Sequence, residues 1–599
     1  MATVSAIDRR RALVVAEAVL AEAQATGVEL PRGLALWDLA GWGTSGSLPA
    51  IVAAGQGSSG GSLALAGVLE GATPDEQRRA NGLHVTPAWL ADHLVERVLD
   101  GLAPPLDGCA LCDPACGGGA FLLAGARALH ARGVPRTTVV RELVWGADVD
   151  PVGLATAEAA LALWAGEAPP PGRLVIGDAL VGGPGLWPDR PAAGFGAVVG
   201  NPPFLSQLGR ATTRTAAETT QLRERFGAAV RAYTDAAWLF LLLGCELVRP
   251  GGRVALVEPL SVIAARDASS VRTALHRQAR LRDLWVEDRP TFAASVKVCA
   301  PVLELFTTPG SPTALIPRTG DDPDRVWADR LADAIGVPRT GLEVEPESGP
   351  GLRLGDIAEV TAGFRDEYYG LVPLVREAEP GETADATVPL ITAGIIDWGR
   401  SRWSERITRF AKSSWRAPVV DAGLLDRLAP EERTSIVGAG VRWVERHQRP
   451  KVIVASQTRV VEAAVDEQGT WVPSVPVLAV LPAATDPADA ADAVWRIAAA
   501  VAAPAATAWL FRRAPGTALG RTALKVAARD LTALPLPADD AAWTAATAAL
   551  RAWSAEPSAE AFAAYVDAAT AMYGSPPTLV AWWRARLDAP DGPNDPDGN

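Results

Sequence analysis

Apolar positions along the chain change period at identifiable points, and those changes lay out its elements. Ile7 to Ala25 carries apolar residues at helical spacing, and the glycine-serine stretch Gly55 to Ser62 reads as a flexible loop. From Asn81 short apolar runs alternate with longer helical patterns. Strand Cys109 to Asp113 leads to helix Ala120 to Ala131, strand Leu143 to Asp148 to helix Pro151 to Trp164, and strand Arg173 to Gly177 follows. The apolar run Phe195 to Gly200 then stops at Asn201-Pro202-Pro203-Phe204. Helix Arg231 to Val248, strand Arg253 to Glu258, helix Ala268 to Arg277 and strands near Leu281 to Val286 and Val298 to Phe306 complete the segment. Such alternation predicts a parallel α/β sheet with helices on both faces. The stretch Thr308 to Gly351, rich in proline and glycine, reads as a linker with one short helix, Val326 to Ile335. A second domain is expected from Leu352, with strand patterns in Pro450 to Ala455 and Arg459 to Val465. An alanine-rich helical tail, Asp539 to Asp588, precedes a last stretch expected to be disordered.

Composition narrows the partners. A chain of 599 residues holds two or three domains and buries a full core. Its net charge of -13 gives no global basic field, so a polyanion has to be met by a local basic face. Of five cysteines, Cys109, Cys112 and Cys116 lie close together, without the fourth ligand that a zinc site needs. They read as buried strand thiols in a reducing cytoplasm, and no metal is expected. Neither Met1 to Arg11 nor the core-helix run Ala236 to Val248 suits secretion or a membrane span, so the expected location is cytoplasmic.

The chemistry falls at strand ends, where sheets of this kind bind ligands. Strand one ends in Asp113-Pro-Ala115-Cys116-Gly117-Gly-Gly119-Ala-Phe121, whose glycines let backbone N–H groups approach a ligand. Leu122 occupies the place of the third glycine of a dinucleotide fingerprint, and no Gly-Lys-Ser/Thr phosphate cradle is present. Strand two ends in Asp148-Val149-Asp150, where an acid can accept from both ribose hydroxyls. Strand three ends in Asp178-Ala179, where a carboxylate can accept from an adenine amine. Each of these acids alone would more often be a helix cap than a ligand, but three at successive strand ends, all before Asn201 to Phe204, favour the ligand. At Asn201 two prolines fix the backbone and remove two donors, leaving a rigid pair of acceptors beside the flat face of Phe204. Acceptors beside a stacking surface suit a planar ring that carries an NH2 group.

With these residues in place the chain resembles the S-adenosylmethionine-dependent adenine-N6 DNA methyltransferases whose catalytic domain precedes the target recognition domain. The resemblance spans about Asn81 to Pro537 and rests on Asp113 to Phe121, Gly146 to Pro151, Gly177 to Leu180 and Asn201 to Phe204. His84-Val-Thr86-Pro87 looks like the family segment that contacts the methionine part of the cofactor, and Pro250 to Ser261 like its fifth-strand region. Gly118 departs from the family's serine, at the cost of at most one hydroxyl contact. The resemblance implies a class I methyltransferase (Rossmann-like) sheet with helices on both faces, an N-terminal helical segment and a C-terminal α+β target recognition domain. The implied division is 1–80 helical segment, 81–310 catalytic domain, 311–351 linker, 352–537 recognition domain and 538–599 tail. It implies that S-adenosylmethionine is held by Thr86, Pro87, Asp113, Ala115, Cys116, Gly117, Gly119, Phe121, Asp148, Val149, Asp178 and Ala179. Asn201, Pro202, Pro203 and Phe204 are then the catalytic residues, acting on an adenine flipped out of double-stranded DNA.

In the expected recognition domain, Arg400, Arg402, Arg406, Arg409 and Lys412 interleave with Trp403 and Trp415. That composition suits phosphate contact and base stacking as well as a solvated helix face, and position within the expected recognition domain assigns these residues to DNA contact. Leu354 to Phe364 and Gly516 to Pro537 resemble further parts of the family's recognition domains. Two other readings remain open: N-methylation of RNA or of protein glutamine by a related Asn-Pro-Pro-aromatic enzyme, and a non-catalytic DNA-recognition subunit. The acidic charge and the N-terminal helices, which hold no recognisable nuclease cluster, leave room for a separate restriction or phage-defence subunit that cuts.

Overall fold

The computed structural model of the chain describes residues 4–42, 65–74, 86–102, 108–204, 214–287, 291, 296–307, 322–340, 342, 351–363, 365–382, 386–424, 432–484, 486–513 and 524–587. The Gly55 to Ser62 loop, His84 and the last residues lie outside these. Two compact units divide the chain, residues 1–330 and 331–599.

Unit one is built on a sheet of eight strands: β1 (Leu111–Asp113), β2 (Val144–Asp148), β3 (Leu174–Ile176), β4 (Phe195–Gly200), β5 (Val248–Leu256), β6 (Glu258–Pro259), β7 (Ala279–Val286) and β8 (Val298–Leu305). Its order is β3-β2-β1-β4-β5-β8-β6, with β7 paired to β8. Strands β1 to β5 are parallel, as the alternation of strand and helix predicts. The expectation of a wholly parallel sheet is corrected at the far edge, where β8 pairs antiparallel with β5, β6 and β7. Residues 287–297 are too few for a helical crossover between β7 and β8, so that pair must run antiparallel. Strand order reverses between β1 and β4, which opens a crevice at their carboxyl ends.

Helix Pro151–Ala165 shows why such sequences fold as they do. Asp150 caps it by accepting from the Val152 N–H, Pro151 stands at its first position, and Gly166 ends it with φ 74°. It is apolar nearly all round because it is buried on two sides. Leu154, Ala157 and Leu161 join the core over the sheet, whereas Val152, Ala155, Ala159 and Leu163 join a second core. That second core belongs to the N-terminal helices α1 (Ala6–Thr26), α2 (Ala35–Leu39) and α3 (Leu65–Ala72). The helix expected from Arg231 begins at Ala236, because Asp235 caps it through the Ala237 N–H.

Unit two carries an antiparallel sheet in the order Ala463–Asp466, Lys451–Val454, Leu478–Pro482, Ala358–Ala362. Its main core combines Val452 and Val480 of that sheet with Ala332 and Val337, and with Trp543, Tyr565 and Trp583 of the three C-terminal helices. Among the described residues no single helix is long and apolar enough to cross a membrane.

Candidate active site

A cavity of about 290 Å³ opens at the carboxyl ends of the parallel strands. Most of the residues that the sequence singles out converge there. Thr86, Asp113, Ala115, Cys116, Gly117 and Phe121 line it, as do Asp148, Val149, Asp178, Ala179, Asn201 and Pro203. Pro87, Gly119, Pro202 and Phe204 do not. Pro87 occupies the cap position of helix Ala88–Leu99, and half-buried Phe204 packs on the core over the sheet.

Each strand end positions an acid. The Asp113 Oδ1 accepts from the Ala115 N–H at 3.0 Å, and a Cβ on Gly200 would stand 2.5 Å from that oxygen. Glycine at the end of β4 is therefore what admits the Asp113 carboxyl. Burial pushes Asp113 up to about 8 against the stabilising Ala115 N–H, and the neighbouring Asp148 adds to the rise. The Asp148 carboxylate accepts from the Gly117 N–H at 2.7 Å and the Asp150 N–H at 2.8 Å, and burial raises its pKa too. At Asp178 cap and cavity wall coincide, since its Oδ1 accepts from Leu180 N at 2.8 Å.

The glycine loop has three separate reasons for its composition. Gly117, at φ 47°, has nothing within 4 Å of where a Cβ would stand. At Gly119, φ 83°, a Cβ would meet the Ala157 Cα at 2.9 Å, so glycine lets helix Ala120–Ala131 start against helix Pro151–Ala165. At Gly118 a Cβ would lie 3.1 Å from the Ala66 Cα. A side chain there would press on α3, so the departure from the family's serine goes with the close approach of that helix. All five cysteines are free and buried, and burial raises the thiol of Cys116, so it is packing and not a nucleophile.

The Asn201 Nδ2 donates to the Thr86 Oγ1 at 3.2 Å. With its amino end engaged, the amide presents Oδ1 as an acceptor at the end of β4. The sequence did not point to Ala66 and Leu69 of α3, or to Ala236 and Phe240 of helix Ala236–Leu247, as cavity residues. Apolar periodicity marks such helices as buried without telling which side chain reaches the site. Glu258, just beyond β5, is fully buried with neither carboxyl oxygen hydrogen-bonded to a described residue, and burial pushes its pKa well up.

In unit two the basic cluster lies on hairpins and not on a helix. Arg402 pairs with Asp397 at 2.6 Å and Glu405 at 2.9 Å, Arg406 with Asp397 at 2.9 Å, and Arg400 reaches Glu405 at 3.9 Å. The indoles of Trp403 and Trp415 donate to the carbonyls of Pro418 and Phe410. Arg409 and Lys412 are exposed and form no ion pair with a described residue. They sit on the hairpin Thr408–Phe410/Ser413–Trp415, whose two-residue turn holds Ala411 at φ 51° and Lys412 at φ 66°. Non-glycine residues in this region cost on the order of 1 kcal/mol each.

The cavity fits S-adenosylmethionine in its donor set. Acids stand at three strand ends for ribose hydroxyls and amines, backbone N–H groups front them, and Phe121, Val149 and Leu180 add apolar wall. Burial raises the pKa of Asp113 and Asp148, and a ligand that brings positive charge to them offsets that cost. A cation binds the ionised form of Asp113 better, so cofactor affinity should rise with pH up to about 8 and level off above it. Calorimetric titration between about pH 6 and pH 8 tests this. Asp113→Asn should flatten the rise, and an unaltered slope would assign it to another group.

The N-6 DNA Methylase family matches residues 69–282. No curated protein matches the sequence. Among solved structures, the Type IIL restriction-modification enzyme MmeI in complex with DNA is similar over 88% of this chain and 81% of its own, at 13% identity and a TM-score of 0.52. The type IIG restriction endonuclease BpuSI is matched over 97% of this chain and 78% of its own, at 14% identity and a TM-score of 0.41. The strand-end acids and the Asn-Pro-Pro-Phe terminus of β4 lie within residues 69–282, the stretch that matches the N-6 DNA Methylase family.

Proposed function

We propose that this chain is a site-specific DNA methyltransferase of a restriction-modification or phage-defence system, in which unit one modifies adenine N6 and unit two reads the target. The observation that carries the reading is the oriented Asn201 amide on the wall of an acid-lined cavity. Bound S-adenosylmethionine supplies an electrophilic methyl group. The Asn201 Oδ1 and the Pro202 carbonyl accept from the N6 amine of the flipped base. They turn its lone pair toward the cavity and stabilise the positive charge that develops on nitrogen. Half-buried Phe204 offers the remaining ring face to the base. A strong base is unnecessary, because the methylated ammonium is acidic enough to lose its proton to water.

Likeness in fold to an enzyme solved with DNA supports duplex DNA as the substrate. Within unit two Arg409 and Lys412, exposed and forming no ion pair with a described residue, carry the contact to phosphate. Arg409→Ala and Lys412→Ala should each weaken duplex binding uniformly across sequences and lower the salt slope by about 1. Arg402→Ala should instead loosen the Asp397 cluster, and filter binding over a salt series separates the two results. Long-read mapping of methylated bases in bacterial DNA tests the whole reading. Methyladenine confined to one sequence context supports it, and transfer to RNA or protein alone would refute it.

A further inference from the structure

We infer that the N-terminal helices are a wall of the cofactor site, and that Arg11 is a positioning residue for the loop carrying Asp148. The inference rests on the cofactor reading of the cavity and brings in Arg11 and Ala66, which precede the stretch matched by the family at residues 69–282. Two contacts carry it. First, α3 lines the cavity through Ala66 and Leu69, and its backbone lies so close to the glycine loop that a Cβ at residue 118 would stand 3.1 Å from the Ala66 Cα. Second, Arg11 of α1 is 1% exposed and grips Asp150 with both guanidinium ends, Nη1 to Oδ1 at 3.2 Å and Nη2 to Oδ2 at 2.5 Å.

From Arg11 the chain of contacts runs into the site. The Asp150 backbone N–H donates to the Asp148 Oδ1, and the Gly117 N–H donates to the Asp148 Oδ2. Arg11 thus fixes the turn that aims the Asp148 carboxylate. Its Nε donates to the Thr73 Oγ1 at 3.0 Å, just past the end of α3. One side chain therefore ties α1, α3 and the Asp148 loop together. A bidentate guanidinium holds such a geometry, which a point charge does not. A fold-stabilising role alone would need neither the cavity-lining position of α3 nor the link through Asp150 to Asp148.

The test is calorimetric binding of S-adenosylmethionine to the full chain carrying Arg11→Met or Arg11→Lys, with exposed Arg10→Ala as control. We expect the dissociation constant to rise at least about fivefold in Arg11→Met and less in Arg11→Lys. The turnover number at saturating cofactor should stay within about threefold, so that the loss lies in cofactor KM. Wild-type affinity in a folded Arg11→Met protein would overturn the inference. Hydrogen exchange on the unmodified chain covers the case of a variant that fails to fold. Amides of residues 65–74 should gain protection when S-adenosylmethionine binds, and unchanged exchange there, with binding shown calorimetrically, would equally overturn it. Failure of the unmodified chain to bind S-adenosylmethionine at all would instead bring down the cofactor reading, and this inference with it.

Discussion

Asn201→Ala should lower turnover by about two to three orders of magnitude, the scale observed when one oriented polar group that stabilises transition-state charge is removed. The geometry explains so large an effect from one amide. Two prolines hold the backbone behind Asn201, and the Thr86 hydroxyl engages its Nδ2, so Oδ1 needs no reorganisation to receive the N6 amine. S-adenosylmethionine affinity should change little, since the acids at the ends of β1, β2 and β3 remain. Thr86→Val should reproduce part of the loss by freeing the amide to turn, and Thr86→Ser should restore it. Single-turnover methyl transfer, beside cofactor binding for each variant, checks the whole pattern. Equal losses in Thr86→Val and Thr86→Ser would show that the hydroxyl does not orient Asn201.

Asp466→Ala should destabilise unit two by about 3–5 kcal/mol, the cost of leaving a buried charge without its partner. Lys451 is wholly buried, and its ammonium donates to Asp466 and to the His447 carbonyl at 2.6 Å. Asp466 also holds the next turn, accepting from Thr470 N at 3.0 Å and Trp471 N at 2.8 Å. Burial lowers the Lys451 pKa while Asp466 props it up, so losing the carboxylate leaves a lysine that must shed its proton. Set against a typical domain stability of about 5–15 kcal/mol, the change is severe. Urea unfolding should show it directly. Duplex binding should fall with it while S-adenosylmethionine still binds at low temperature. Full duplex affinity in a protein with disrupted unit two would remove DNA reading from that unit.

How much of this was legible in the sequence depended on the kind of signal. The run Phe195 to Gly200 ends where it must, because two prolines cannot continue a ladder, and strand-end acids are recognisable by position. Cap chemistry is local, so helix Pro151–Ala165 was readable to within a residue. Pairing direction is not local: nothing in Val298 to Leu305 says that β8 runs against β5. Arg11 left a trace that was overlooked. It lies in helical register with Val15 and Val19 on the buried stripe of α1, where an arginine needs a buried acid. Its partner lies 139 residues away, so identifying it required the fold. The basic cluster from Arg400 to Lys412 shows the converse limit. Composition counts cations, but which of them Asp397 and Glu405 neutralise follows only from the hairpins.

The most direct measurement is mass spectrometry of nucleosides from unmethylated duplex DNA incubated with the chain and isotopically labelled S-adenosylmethionine. The structure predicts labelled N6-methyladenine with the unmodified chain and almost none with Asn201→Ala. Label on cytosine, or undiminished adenine methylation in Asn201→Ala, would contradict the assignment of adenine N6 transfer to this site.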